Sequence, residues 1–146
     1  MRRLVAGFLL AVLTTGCSQK AAFEELADGP CSSAEEKLVD QHISGQINAL
    51  SEQNWKSAYS FASANFQGQV SLNQFIYIIG SQYSILIENQ GFTFDKCTLK
   101  DGAVSQEISV TSGDEVYRLT YELSVNESTL GIESALINGA EIGLST

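Results

Sequence analysis

Basic residues are scarce in this sequence: 8 Lys and Arg stand against 17 Asp and Glu in 146 residues, for a net charge of −9. Phosphate binding draws most of its affinity from Lys and Arg, so this balance argues against a nucleic-acid partner. There is one histidine, one proline and one tryptophan, and the three cysteines are an odd number. One His cannot complete a zinc-type ligand spacing with these cysteines. Gly-x-Ser-x-Gly, a glycine-rich phosphate loop and His-Glu-x-x-His do not occur, so no metal or cofactor is implied. The longest apolar run, Leu4 to Leu13, is half the roughly 20 residues that a membrane span needs. With 44% hydrophobic and 17% charged residues the chain is neither a disordered polyelectrolyte nor a multi-span membrane protein. Its length suits one domain.

What is present begins with an address. Arg2 and Arg3 precede the apolar run, and Leu13-Thr14-Thr15-Gly16-Cys17-Ser18 follows it. Basic start, short apolar core and small residues are the order of a secretory signal. The last six residues resemble a bacterial lipobox, with Thr14 where Leu is usual. That resemblance implies residues 1–16 as signal peptide and Cys17 as the lipidated N-terminus, a palmitate-type membrane anchor. Ser18 resembles outer-membrane sorting, which puts the protein in the cell envelope facing the periplasm. The alternative is an ordinary secretory signal with a coincidental cysteine. Removal of sixteen residues leaves 130 and takes away two basic residues, so the mature charge becomes −11. Such a surface repels anionic lipid, and membrane association then rests on acyl chains.

With Cys17 lipidated, Cys31 and Cys97 remain as a pair in an oxidising compartment. A disulfide between them closes a loop of about 66 residues, worth roughly 4 kcal/mol in the chain-entropy model. The alternatives are a buried thiol at Cys97 and an exposed one at Cys31.

Residues 17–33 read as a lipidated tether, small, polar and acidic, with Asp28-Gly29-Pro30 as a breaker. Residues 34–138 read as one α+β domain and residues 139–146 as a C-terminal tail. Ser32 or Ser33, each with Glu three residues on, has the capping-box spacing and opens a first helix. Val39, Ile43, Ile47 and Leu50 form one helical stripe on it, which Gly45 interrupts. Asn54 caps a second helix carrying Trp55, Ala58, Tyr59 and Ala62. Ser71 with Gln74 opens a third, with Leu72, Phe75, Ile76 and Ile79.

From about Tyr83 the period becomes alternating and predicts four or five strands. Asp101-Gly102 is a two-residue hairpin signal and pairs Leu99 with Val104 and Cys97 with Gln106. A turn at Ser112-Gly113 pairs Val110 with Glu115 and Ile108 with Tyr117. A loop from Asn126 to Thr129 pairs Val125 with Leu130, Leu123 with Ile132 and Tyr121 with Ser134. These turns agree on one apolar face, running from Cys97 and Leu99 through Val104, Ile108, Tyr117 and Tyr121 to Leu136. The opposite face, with Ser105, Glu107, Arg118 and Glu122, suits water. Helices first and strands afterwards give an α+β class, N-terminal helices packed on a curved antiparallel sheet. Phe92 and Phe94 fall on the opposite face from Cys97 and Leu99, so either a bulge intervenes or that end of the sheet is covered on both sides.

Trp55 to Ser63, with Ala58-Tyr59-Ser60-Phe61-Ala62-Ser63 as its most specific piece, resembles the uncharacterised domain of unknown function 4864 family. The resemblance extends over Asp40 to Ile137. It implies a cone-shaped fold similar to nuclear-transport-factor-like and cystatin-like proteins, and no catalytic residue. Ala64 departs from the family's usual Pro.

Polar residues on the apolar face mark a candidate pocket: Gln106, Ser134 and, without a bulge, Asp95, beside Tyr117 and Tyr121. Buried polar groups are paired or else line a wet cavity, and here a satisfied core network is the alternative. His42, off the helical stripe, is a surface histidine or else a catalytic base or metal ligand. The sequence thus points to a non-enzymatic binding or accessory module for an envelope protein or small ligand. The competing expectation is a small hydrolase or isomerase using Asp95 in the cavity.

Overall fold

The computed structural model describes residues 22–127 and 129–142. The expected signal peptide at residues 1–16 and the expected lipidation site at Cys17 lie outside the described residues. The fold is α+β, with five helices followed by most of a five-stranded antiparallel sheet in the order β1-β2-β3-β4-β5.

Helix α1 spans Ser33–Ser51 and is opened by the Ser32 side chain, with Glu35 closing the capping box. Its stripe of Val39, Ile43, Ile47 and Leu50 is fully buried. Each such side chain contributes about 1.5–3 kcal/mol by leaving water. Asn54 caps α2 (Trp55–Ser60), and Ser71 with Gln74 caps α4 (Leu72–Gln82). Two short helices have no counterpart in the sequence pattern, α3 (Ala64–Gln69) and α5 (Ser84–Ile87). Each is about a turn long, too short to show an apolar period.

The sheet comprises β1 (Gly29–Pro30), β2 (Gly91–Lys100), β3 (Ala103–Ser112), β4 (Glu115–Asn126) and β5 (Thr129–Ile142). Asp101 and Gly102 both take positive φ, as a type I′ hairpin requires, and Leu99 pairs with Val104 as the sequence implies. The second hairpin differs from expectation. Gly113, at φ 61°, is the first of its two central residues, so Ser112 stays in the strand opposite Glu115. Val110 therefore faces Tyr117 and Ile108 faces Leu119. The partner moves by two residues, so every side chain keeps its face.

Bulges decide the rest. On β2 the register breaks between Phe94, opposite Ile108, and Cys97, opposite Gln106. The extra residue returns Phe92 and Phe94 to the core side, where both pack against the buried cluster. On β5 a break between Glu122 and Leu123 makes Glu133 the extra residue, so Tyr121 faces Ala135 and not Ser134. An apolar side chain thus replaces a polar one at the core position. A second break makes Asn138 extra, and Leu136, expected on the apolar face, is 58% exposed.

Both ends of the expected domain are also corrected. β5 runs on to Ile142, so residues 139–142 are strand and not tail. At the other end the tether is docked from Phe23 onward. Phe23 is buried, Gly29 and Pro30 pair with Leu99 and Thr98, and Asp28 accepts a hydrogen bond from the Asp101 amide at 2.9 Å. Proline is tolerated there because β1 is an edge strand. The Cys31–Cys97 disulfide, with Cα atoms 5.5 Å apart, fastens this segment to β2.

The segment Ala58 to Ser63 joins the helices to the sheet. His42 Nε2 lies 2.8 Å from the Phe61 carbonyl oxygen, and the two rings meet edge to face. The Phe61 ring occupies the space above Gly45, where a Cβ would come within 2.4 Å of it. On the other side the Ser63 amide donates to Ile132 O, and the Ile132 amide donates to Phe61 O. A Cβ on Gly131 would lie 2.6 Å from Ser63 Cα, so only glycine allows this approach.

Candidate functional site

The helices cover the apolar face incompletely. Between α4, α5 and the β4–β5 side of the sheet they leave a pocket of about 180 Å³. Capping by Ser71 orients α4 so that Phe75 and Ile79 are buried against it, with Ile78 beside them. Leu86 of α5 and Phe66 of α3 extend the apolar wall. From the sheet come Ile132, Ala135 and Tyr121, with Glu133, Ser134 and Leu136 on the β5 side.

Tyr121 is the unusual member. It stands between Leu119 and Leu123 on β4, and all three are 0% exposed. Its hydroxyl has no hydrogen-bond partner in the protein. A buried hydroxyl without a partner carries a desolvation penalty of about 1–3 kcal/mol, so such groups are uncommon. Burial, and secondarily the neighbouring Tyr83, push the phenol well above its ordinary pKa, so it remains a donor. Tyr83 itself is satisfied, donating to the Ala135 carbonyl at 2.5 Å. Gln46, buried on α1, donates to the Ala58 carbonyl at 3.4 Å and adds an amide to the lining.

Glu133 is the carboxylate at this site. Burial raises its pKa, but hydrogen bonds from Asn65, Ser63 and Ser124 together outweigh burial and bring it below the usual carboxylate range. The Asn65 bond is 3.0 Å long. No Lys, Arg or His lines the pocket.

Of the residues singled out in sequence, Tyr121 and Ser134 come together here. Ser134 does so from opposite Glu122 and not from opposite Tyr121. Gln106 is buried and directly opposite Tyr121, but its amide donates to the Glu107 carbonyl and it does not line the pocket. Tyr117 is half-buried near the second hairpin, where its hydroxyl bonds the Glu115 carboxylate and is thereby held above its ordinary pKa. Asp95 is a correction: the bulge beside it leaves it exposed, accepting a 2.8 Å hydrogen bond from Ser109 on the outer face. It lies in a separate depression with Glu107, Arg118 and Asn138. His42 belongs to the clamp on Phe61, away from the pocket. Cys31 and Cys97 are bonded to each other.

Sequence reasoning missed Gln46, Tyr83 and Glu133. Gln46 had a signal, because it falls seven residues after Val39 on the buried stripe. Glu133 had none, since only the bulge brings it to the pocket. Among the described residues no group of three metal-ligating side chains comes together, and no helix is long and apolar enough to cross a membrane.

Fold and site together define an α+β domain with a small apolar pocket held between its helices and one side of an open antiparallel sheet. The family model described as domain of unknown function (DUF4864) matches residues 32–140, and the chain belongs to that family. No curated protein and no solved structure matches the chain.

Proposed function

We propose that this protein is an envelope-anchored, non-enzymatic binding module that takes a small ligand in the pocket beside Tyr121. The observation that carries the reading is the pocket itself, about 180 Å³ left between α4, α5 and β5 and walled mostly by apolar side chains such as Phe66, Phe75, Ile79, Leu86 and Ile132. Binding sites are concave and mostly apolar with a few polar groups in the lining, as Glu133 and Ser134 are here. The cone-like, nuclear-transport-factor-like description belongs to the same proposal and is supported by helices lying on one face of a meander. The hydrolase or isomerase reading is not favoured, because Asp95 is solvent-exposed on the opposite face of the sheet.

Anchoring rests on the lipobox-like sequence ending at Cys17. The acyl chains hold the protein in the membrane, with the domain facing the periplasm. Two experiments test the proposal. A Cys17→Ser variant is expected to leave the membrane fraction; continued fractionation with membranes refutes lipidation at that residue. For binding, the full chain in lipid nanodiscs is titrated with α-methylstyrene, its free concentration set by dialysis. Shifts in the methyl resonances of Ile79, Leu86 and Ile132 are expected, and unchanged resonances refute the pocket as a binding site.

A further inference from the structure

We propose that the surface formed by α4 and the rim of β5 is where two copies of this chain associate. Tyr77 of each copy packs against Leu136 and Ile137 of the other in a two-fold dimer. This goes beyond the ligand reading above and stands or falls separately from it.

Charge comes first. The chain carries −9, yet residues 57–87 contain no Asp, Glu, Lys, Arg or His. That stretch supplies α3, α4 and α5, so three consecutive helices are free of charge. On β5 the run from Ser134 to Ala140 is likewise uncharged. Glu133, at its border, is hydrogen-bonded by Asn65. Two equally acidic copies repel one another wherever like charges meet, at several kcal/mol for close pairs. A face without charge lets them approach. Depletion of charged residues beside exposed aromatic ones is also the compositional mark of an interface centre. A basic partner would be drawn instead to the acidic remainder of the surface.

Exposed apolar surface comes second. Among the described residues the three most exposed large hydrophobic side chains are Tyr77 at 74%, Leu136 at 58% and Ile137 at 41%. All three belong to this face. Ile78 lines both the depression beside Tyr77 and the pocket that Leu136 borders, so the patch is continuous across the pocket mouth. Scattered apolar residues need no explanation, but a continuous patch marks an interaction site.

The patch also has the form that a two-fold contact requires. Tyr77 stands on one rim of the pocket, and Leu136 and Ile137 stand on the other. A two-fold axis between two copies lays each rim against the opposite rim of its partner, so every contact is made twice. Side chains carry this contact. The outer edge of β5 is already engaged at Ile132 and Ala135, and the break at Asn138 interrupts it again, which blocks strand pairing.

A lipid surface fits this face less well. On the anchored protein the chain from Cys17 enters the fold at Phe23 and leads into β1, at the opposite edge of the sheet from β5. Four strand spacings, roughly 19 Å, separate the two edges. Anchoring in a shared membrane raises the effective concentration of one copy for another without drawing this face onto the bilayer.

The test uses full-length protein in intact cells, with the photo-crosslinking residue benzoylphenylalanine in place of Tyr77 or of Ile137. Irradiation is expected to give an adduct of twice the monomer mass. Its linked peptide should lie in residues 134–140 from position 77 and in α4 from position 137. The same label in place of Glu107, on the outer face of the sheet, is expected to give no such adduct. In parallel, two differently tagged full-length copies are isolated together in mild detergent. Tyr77→Asp is expected to lower their co-isolation at least about tenfold, with Tm unchanged because the side chain is exposed. Glu107→Gln is expected to leave it unchanged. Adducts only with lipid or with a different protein, or no adduct from either position, overturn the proposal. So does a dimer adduct from position 107 as strong as that from position 77, or co-isolation that Tyr77→Asp does not reduce.

Discussion

Tyr121→Phe removes one oxygen atom from the buried centre of β4 and leaves the ring, its neighbours and its backbone pairing in place. In most cores the loss of a tyrosine hydroxyl breaks a hydrogen bond. Here the hydroxyl is fully buried and has no protein partner. Its removal relieves a desolvation penalty of about 1–3 kcal/mol. Against this, a void of roughly 12 Å³ is left, which at about 24 cal/mol per Å³ costs about 0.3 kcal/mol. The net expectation is a variant more stable by about 1–2 kcal/mol. For a domain of this size that is a rise in Tm of about 4–8 °C. Thermal unfolding followed by circular dichroism, without added ligand, measures it. The alkaline limb offers a second readout. Burial raises the folded pKa of Tyr121, so its contribution to stability is intact below about pH 10 and lost as the unfolded phenol ionises above it. The variant is expected to lose less stability than the parent between neutral pH and pH 11. A fall in Tm, with an unchanged alkaline limb, would falsify the premise that this hydroxyl is buried and unpaired.

Gly131→Ala is expected to destabilise by about 1–3 kcal/mol, because its Cβ meets backbone at Ser63 and not a movable side-chain tip; an unchanged midpoint in denaturant unfolding would show that the clamp is not tight. Reducing the Cys31–Cys97 bond is expected to cost about 2–4 kcal/mol, seen as a lower urea midpoint with reductant present. Thiol labelling of the unfolded, unreduced protein should find neither cysteine reactive. Asp40 has its pKa raised by burial and by Glu36, so its unfolded form ionises first and stability falls as pH rises through the carboxylate range. Asp40→Asn is therefore expected to stabilise at pH 7 and to make no difference near pH 3. Equal effects at both pH values would show that the carboxylate's charge is not the cause.

The local devices of this fold were legible before any coordinates. Ser32 with Glu35, and Ser71 with Gln74, announce helix starts because a cap is satisfied within four residues. The stripe from Val39 to Leu50 announces a buried face for a similarly local reason. Asp101-Gly102 sets its own register, since both residues accept positive φ. The second hairpin was placed two residues off because Ser112, Gly113 and Asp114 are all acceptable in turns, and the choice among them depends on what the flanking strands bury. The discord between Phe92–Phe94 and Cys97–Leu99 left a bulge and a sheet end covered on both sides as alternatives; the structure has the bulge, and its presence is what removes Asp95 from the core face.

The amino-acid pattern alone determined the class of fold, the starts of α1, α2 and α4, the first hairpin and the sides of β3 and β4 that meet the core. It also carries the lipobox-like start, in residues beyond those described. Only the tertiary structure decided the bulge at Glu133, the docking of Phe61 to Ser63 against Gly131 and Ile132, and the pocket that follows from both. These depend on contacts between segments some seventy residues apart. No local period records how far apart helices and sheet come to rest, and that separation determines whether a pocket is left between them.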